Sequence, residues 1–317
     1  MTAGTPDRAP KRKPQGGRGG PARRDGAGAE RGGPSGRGGK PRRDDHSARG
    51  GGDDPVPGHV DGPRGAREPI GRDRATRRGD APARPSRDRA APPRPPLPDD
   101  EEPQLPRGVV KEIDRALGSG RRARDVALAL SIGSAAIEAS RPDIAVEVLA
   151  WAKHEAPRVS AVREAYGVAL YLDEDFGAAL TELQAYRRLT GRVDQNHLVA
   201  DCLRALGRDV DRVAEAASPL LDDHKAPEDR RAEAAIVWAA ALADAGDVRA
   251  GRAVLRRFLE PRRGGAAEHD LRVRWLAADL AQRDSDHLEA ARQLERIVAT
   301  DPDFLDARDR LEDLRDA

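Results

Sequence analysis

Seven histidines, one cysteine and 55 carboxylates are the groups through which this chain could perform metal, nucleophilic or acid–base chemistry. Their spacing decides which of them could act together. No two histidines stand four residues apart, the interval that sets two imidazoles on one helix face as metal ligands. Two short clusters join histidine to carboxylates, Asp222-Asp223-His224-Lys225 and Glu268-His269-Asp270. Both fall in segments that read as turns between helices, where charged side chains are solvated. Cys202 lies in VADCLRAL, a helical stretch with apolar neighbours, and reads as a buried structural thiol rather than a nucleophile. There is no Walker loop and no Gly-x-Gly-x-x-Gly following a strand. The chain is therefore read as not an enzyme, with no catalytic, metal or cofactor-binding residue to name.

The elements that must carry any functional group are unevenly distributed. Residues 1–104 hold 18 of the 25 prolines and 20 of the 32 glycines, no aromatic residue, and only five larger apolar ones, Met1, Val56, Val60, Ile70 and Leu97. So few apolar groups cannot offset an ordering entropy of about 1–2 kcal/mol per residue, and the segment reads as a disordered tail. Its charge is basic, 23 Lys and Arg against 16 Asp and Glu, whereas residues 105–317 carry 33 against 39. Four Arg-Gly-Gly steps, at Arg18, Arg31, Arg37 and Arg49, are similar to the arms with which RNA-binding proteins contact phosphate and bases. The aromatics that interleave in such arms are absent here, and acidic residues are mixed in. The chain as a whole has 50 Arg against 6 Lys, the bias of GC-rich codons. Weak, salt-sensitive polyanion attraction is the favoured reading of the tail, with specific RNA or ribosome association as the alternative.

Residues 105–317 are Ala-, Leu- and Arg-rich with helical periodicity and no alternating β-branched runs, which predicts an all-α body. Val109, Val110, Ile113 and Leu117 form the stripe of a first helix, which Gly118 and Gly120 end. Beyond it the chain repeats. Gly133 aligns with Gly167, Ala136 with Leu170, Ala145 with Ala179, Leu149 with Leu183 and Pro157 with Gly191, every pair 34 residues apart. Later units follow at 201–223, 237–261 and 277–302, and their small residues continue the series as Ala214, Gly251 and Ala290. Pro219 is expected to kink or end its helix, and Asp301-Pro302 to open a closing helix with a charged outer face.

This pattern resembles the tetratricopeptide repeat family. The resemblance covers roughly 126–304 and implies an α-solenoid of about five helix-turn-helix pairs. It also implies a peptide or partner protein bound in a concave groove lined by the first helix of each pair. Carried over by position, the groove holds Leu130, Ser134 and Ile137, then Glu164, Val168 and Tyr171. It continues with His197, Asp201 and Arg204, then Ile236, Ala240 and Asp244, and ends with Trp275, Asp279 and Arg283. Tyr171, Arg204 and Trp275 are of the types that dominate interfaces, and Tyr171 and Trp275 serve equally well as packing between helices. The matching positions lack the Lys and Asn with which some arrays grip acidic chaperone tails, so that partner class is set aside.

No apolar stretch reaches the roughly 20 residues of a membrane span, and the first residues carry no apolar run of a secretory signal. With a single cysteine no internal disulfide can form. The chain is expected to be cytoplasmic and off the membrane.

Overall fold

The computed structural model describes residues 91–260 and 267–316. The Arg-Gly-Gly positions Arg18, Arg31, Arg37 and Arg49 lie outside the described residues. Within these there are twelve α-helices, one 3-10 turn at Arg256–Phe258, and no strand. In chain order the helices are α1 Arg107–Leu117, α2 Arg121–Glu138, α3 Pro142–Glu155, α4 Ser160–Leu172, α5 Phe176–Thr190 and α6 Asn196–Ala205. They continue with α7 Val210–Asp222, α8 Glu228–Asp244, α9 Val248–Leu255, α10 Glu268–Arg283, α11 His287–Thr300 and α12 Ala307–Asp316.

Helices α2 to α11 form five hairpins, α2–α3, α4–α5, α6–α7, α8–α9 and α10–α11, and the first helices of successive hairpins pack on one another. One turn closes all five. Ser140, Glu174, Gly207, Gly246 and Ser285 each adopt a left-handed backbone, with φ of 56°, 63°, 63°, 93° and 60°. In each turn the next residue donates its N–H back to a carbonyl five residues earlier: Arg141 to Ala136, Asp175 to Leu170, Arg208 to Leu203, Asp247 to Leu242 and Asp286 to Ala281, at 2.8–3.0 Å. This is the Schellman closure, which satisfies the carbonyls a helix end leaves unpaired. Three turns then start the second helix with the side chain of Asp175, Asp247 or Asp286, which accepts from the N–H of Ala178, Ala250 or Glu289.

Close approach within the first two hairpins explains their shared spacing. A Cβ built on Gly133 would lie 2.5 Å from Leu149 Cγ, and one on Gly167 would lie 2.9 Å from Leu183 Cγ. Each leucine is fully buried against the facing glycine. The small residues Ala145, Ala179, Gly251 and Ala290 are likewise buried where the second helix crosses the first.

Four expectations are corrected. In α7 the buried residue at the crossing is Val213, and Ala214 is half-buried, a shift of one position. Helix α7 runs through Pro219 to Asp222, because the proline removes one ladder bond in the last turn and the remaining residues are held by Leu220 and Leu221 in the core. The closing helix begins at Ala307 rather than Pro302. Asp301 spends its carboxylate on the N–H of Asp303 at 3.1 Å, and Leu305 takes a left-handed backbone that bars a helix there. Finally, the ordered part starts before residue 105. Residues 91–104 form a non-helical strap on α2, where Arg94 donates to Asp125 at 2.9 Å and Arg124 donates to the carbonyls of Asp99 and Glu101. The N–H of Gln104 donates to Ser131, and Pro95 is buried. The strap borrows apolar surface and partners from α2, so it needs few of its own.

Candidate partner-binding face

The residues assigned to the groove lie on the first helices α2, α4, α6, α8 and α10, and Tyr171, Arg204, Asp244 and Arg283 among them come from the last turns of α4, α6, α8 and α10. Tyr171 donates its hydroxyl to Asp201 at 2.6 Å, joining α4 to α6. Arg204 lies 3.8 Å from Asp201 and donates through two nitrogens to Asp244, at 2.9 and 2.7 Å, joining α6 to α8. Arg283 donates to the carbonyl of Ala243 at 2.9 Å and lies 3.9 Å from Asp279, joining α8 to α10. Asp279 in turn lies 3.7 Å from Arg310 on α12, which also donates to Gln282. The outcome is a polar ladder that runs from α4 to α12.

The ladder is partly desolvated. Asp201 is buried, Tyr171, Arg204 and Asp279 are half-buried, and Asp244 and Arg283 are exposed. Burial pushes the Asp279 carboxyl above its ordinary value, opposed by Arg310 and Arg283. His197 stands one turn before Asp201 on α6 and is half-buried. Beside the ladder, burial also raises the Glu233 carboxyl, and Arg272 of α10 opposes that shift by donating to it at 3.0 Å.

Of the two roles open to Trp275, exposed anchor or packing between helices, the structure gives it the second. It is buried, its indole N–H donates to Asp306 at 2.7 Å, and the Arg310 guanidinium sits 4.7 Å over its ring. Trp275 therefore fastens α12 to α10 and offers no open surface. The groove positions of the first two hairpins are also closed. Leu130, Ser134, Ile137, Glu164 and Val168 are all buried, as are Ile236 and Ala240. Adjacent first helices lie close enough for these side chains to fill the space between them.

Glu164 is the residue whose environment sequence reasoning missed. It is 1% exposed, its Oε1 accepts from Gln195 at 2.6 Å, and burial raises its pKa to about 7. Tyr186 donates to Asp194 at 3.0 Å beside it, and Arg192 lies 2.7 Å from Asp194. Its helical position was legible, but its burial depends on α1 and the α5–α6 connection, neither of which the repeat pattern describes.

Asp222-Asp223-His224-Lys225 spans the end of α7 and the turn after it, whereas Glu268-His269-Asp270 is corrected from a turn to the opening residues of α10, where the first turn of the helix takes them in. Asp270 is buried and accepts from the N–H of Ala267 at 2.9 Å, and Asp223 accepts from the N–H of Lys225 at 3.0 Å. Among the described residues, no group of three or more His, Cys, Asp or Glu converges as metal ligands. Cys202 is buried, and burial pushes its thiol pKa up, which disfavours the reactive thiolate. Among the described residues no helix is long and apolar enough to cross a membrane. No protein-family model matches the chain, and no curated protein matches it either.

Proposed function

We propose that the chain is a tetratricopeptide-like α-solenoid of about five helix pairs that acts as a protein-interaction scaffold. It holds a peptide or partner protein along the face of its first helices, by contact alone and without a chemical step. The observation that supports this reading is the hairpin closure repeated at Ser140, Glu174, Gly207, Gly246 and Ser285, alongside contacts between successive first helices. The polar ladder lies along that face. Its exposed members, Asp244 and Arg283, can exchange internal partners for those of a bound chain at little cost, since surface ion pairs contribute about 0–1 kcal/mol.

Site-specific photocrosslinking tests the reading in the source cell. Crosslinkers at Asp244 and Arg283 should capture the same partner, while crosslinkers at Arg188 and Arg296 on the second helices should not. Capture from the second helices alone overturns the assignment of the face.

A second reading rests on the four Arg-Gly-Gly steps and the basic balance of residues 1–104. In it the tail binds RNA or a ribosome. Removing residues 1–90 should then abolish RNA retention at low salt, and equal retention by the two chains excludes it.

A further inference from the structure

We propose that the cleft between α1, α4 and the C-terminal end of α5 binds a primary alkylammonium group, held by the carboxylates of Glu164 and Glu112 and the phenol oxygen of Tyr186. The cleft has a volume of about 140 Å³, and Pro106, Gly108 and Val109 form its apolar wall. A cavity of about 150 Å³ accepts a benzene-sized guest, so the site suits a chain of four or five carbons ending in nitrogen.

The polar end of the cleft is built for a donor. Glu164 is 1% exposed and lines the cleft, and its Oε2 is buried with no hydrogen-bond partner. Leaving such an oxygen unsatisfied costs about 1–3 kcal/mol, more when it is charged. Glu112 reaches across from α1 to accept from the N–H and hydroxyl of Ser160, at 2.5 and 3.1 Å, and each of its oxygens retains a lone pair. Tyr186 is buried and spends its proton on Asp194, so its oxygen can only accept.

Three acceptors match the three N–H donors of an ammonium. Among the described residues, no group of three or more His, Cys, Asp or Glu converges here to hold a metal ion. An anion would face two carboxylates, while the nearest guanidinium, Arg192, is already paired with Asp194.

The charged and titratable groups facing Glu164 are Glu112 from α1, Tyr186 from α5, Arg192 and Asp194 from the α5–α6 connection, and Arg230 from α8. Burial places the Glu164 titration at about 7, so its ionised fraction rises about tenfold from pH 6 to pH 8. An alkylammonium stays protonated across that range. The ligand can be a free monoamine or the tip of a lysine from another chain, and both present the same chemistry.

The test titrates the full chain with n-butylammonium chloride, followed by NMR or calorimetry at pH 6 and pH 8. Binding should be about tenfold tighter at pH 8. Tetramethylammonium, with the same charge and no N–H donor, should bind at least tenfold more weakly. Glu164→Gln should remove both the pH dependence and at least tenfold in affinity. Glu112→Gln, at a half-buried position, should weaken binding severalfold and reads the site independently if the Glu164 variant does not fold. A peptide containing one lysine is a parallel probe. If it matches n-butylammonium the source is a protein side chain, and if it binds more weakly the source is a free amine. Absence of saturable n-butylammonium binding at pH 8, equal affinity for tetramethylammonium, pH-independent affinity, or indifference to both substitutions would overturn the proposal. So would a crystal structure grown with the probe that places only water on Glu164 Oε2.

Discussion

Replacing Glu164 by Gln isolates what its buried carboxyl costs the fold. Burial moves this group from an ordinary 4.5 to about 7, mainly by desolvation, which Gln195 and the guanidiniums of Arg230 and Arg192 only partly oppose. Because the folded value lies above the unfolded one, the native chain holds the extra proton between about pH 4.5 and pH 7. Stability therefore falls as pH rises through that window, since the unfolded state can ionise where the native state resists. At 1.36 kcal/mol for each pKa unit, the loss amounts to about 3 kcal/mol once both states are ionised. Gln is neutral throughout, keeps an oxygen to accept from Gln195, and occupies nearly the same volume. The variant should match the native chain near pH 4.5 and exceed it by about 3 kcal/mol at pH 8. Urea denaturation of both chains at half-unit intervals from pH 4.5 to pH 8 measures the difference, and every other titrating group cancels in the comparison. A difference that stays constant across the range refutes the desolvation account. A variant less stable at pH 8 than at pH 4.5, relative to the native chain, would reverse its sign.

Four further outcomes follow from the geometry. Gly133→Ala drives a methyl to within 2.5 Å of Leu149 Cγ and should destabilise by about 1–3 kcal/mol in urea melts. Gly177→Ala, whose nearest neighbour is 3.8 Å away, should instead gain up to about 1 kcal/mol in the same melts. Ser285→Gly relieves a left-handed backbone at φ 60° and should raise stability by about 0.5–1 kcal/mol after the entropy of glycine is subtracted. Arg252 holds the carboxyls of Asp284 and Asp286 below their ordinary value. Arg252→Ala should therefore lower the melting temperature at pH 7, and the deficit should disappear as pH falls through the native values of those carboxyls.

The 34-residue offset of Gly133 with Gly167 and of Leu149 with Leu183 was legible because it reflects a contact inside one hairpin. In these two hairpins a glycine faces a leucine where the helices cross, and both partners lie within one hairpin. The hairpin turns were harder to read. Two of the five left-handed positions are glycines, while Ser140, Glu174 and Ser285 carry a side chain and are placed there by the helices on either side. The strap and the start of α12 were misplaced for a related reason. Residues 91–104 are ordered by α2, and the 301–306 segment is shaped by the Asp301 side chain and Leu305, so neither carries a periodic signal of its own. In α7 the crossing residue Val213 keeps the 34-residue offset from Ala179; Ala214, the small residue next to it, matches the family's residue type but lies one position round the helix.

The groove residues show where pattern and environment part. Tyr171, Asp201, Arg204 and Asp279 share a helix face by sequence position, and the structure does bring that face together. Their partners, however, are other side chains of the protein: Tyr171 and Arg204 meet Asp201, Arg204 also meets Asp244, and Asp279 meets Arg283 and Arg310. A first helix packed on its neighbour presents its side chains within reach of the next helix's side chains, so a long polar residue at such a position finds a partner before solvent does. Trp275 is the apolar counterpart. With α12 ending the stack, the surface that would have been open on α10 is covered by Arg310 and Asp306. Under the proposed scaffold function, a partner would meet a satisfied surface, and affinity would come from replacing its weakest internal bonds. These are at Asp244 and Arg283, where water already competes, and not at Asp201 or Trp275, where displacement would leave a buried carboxylate or a stripped aromatic ring behind.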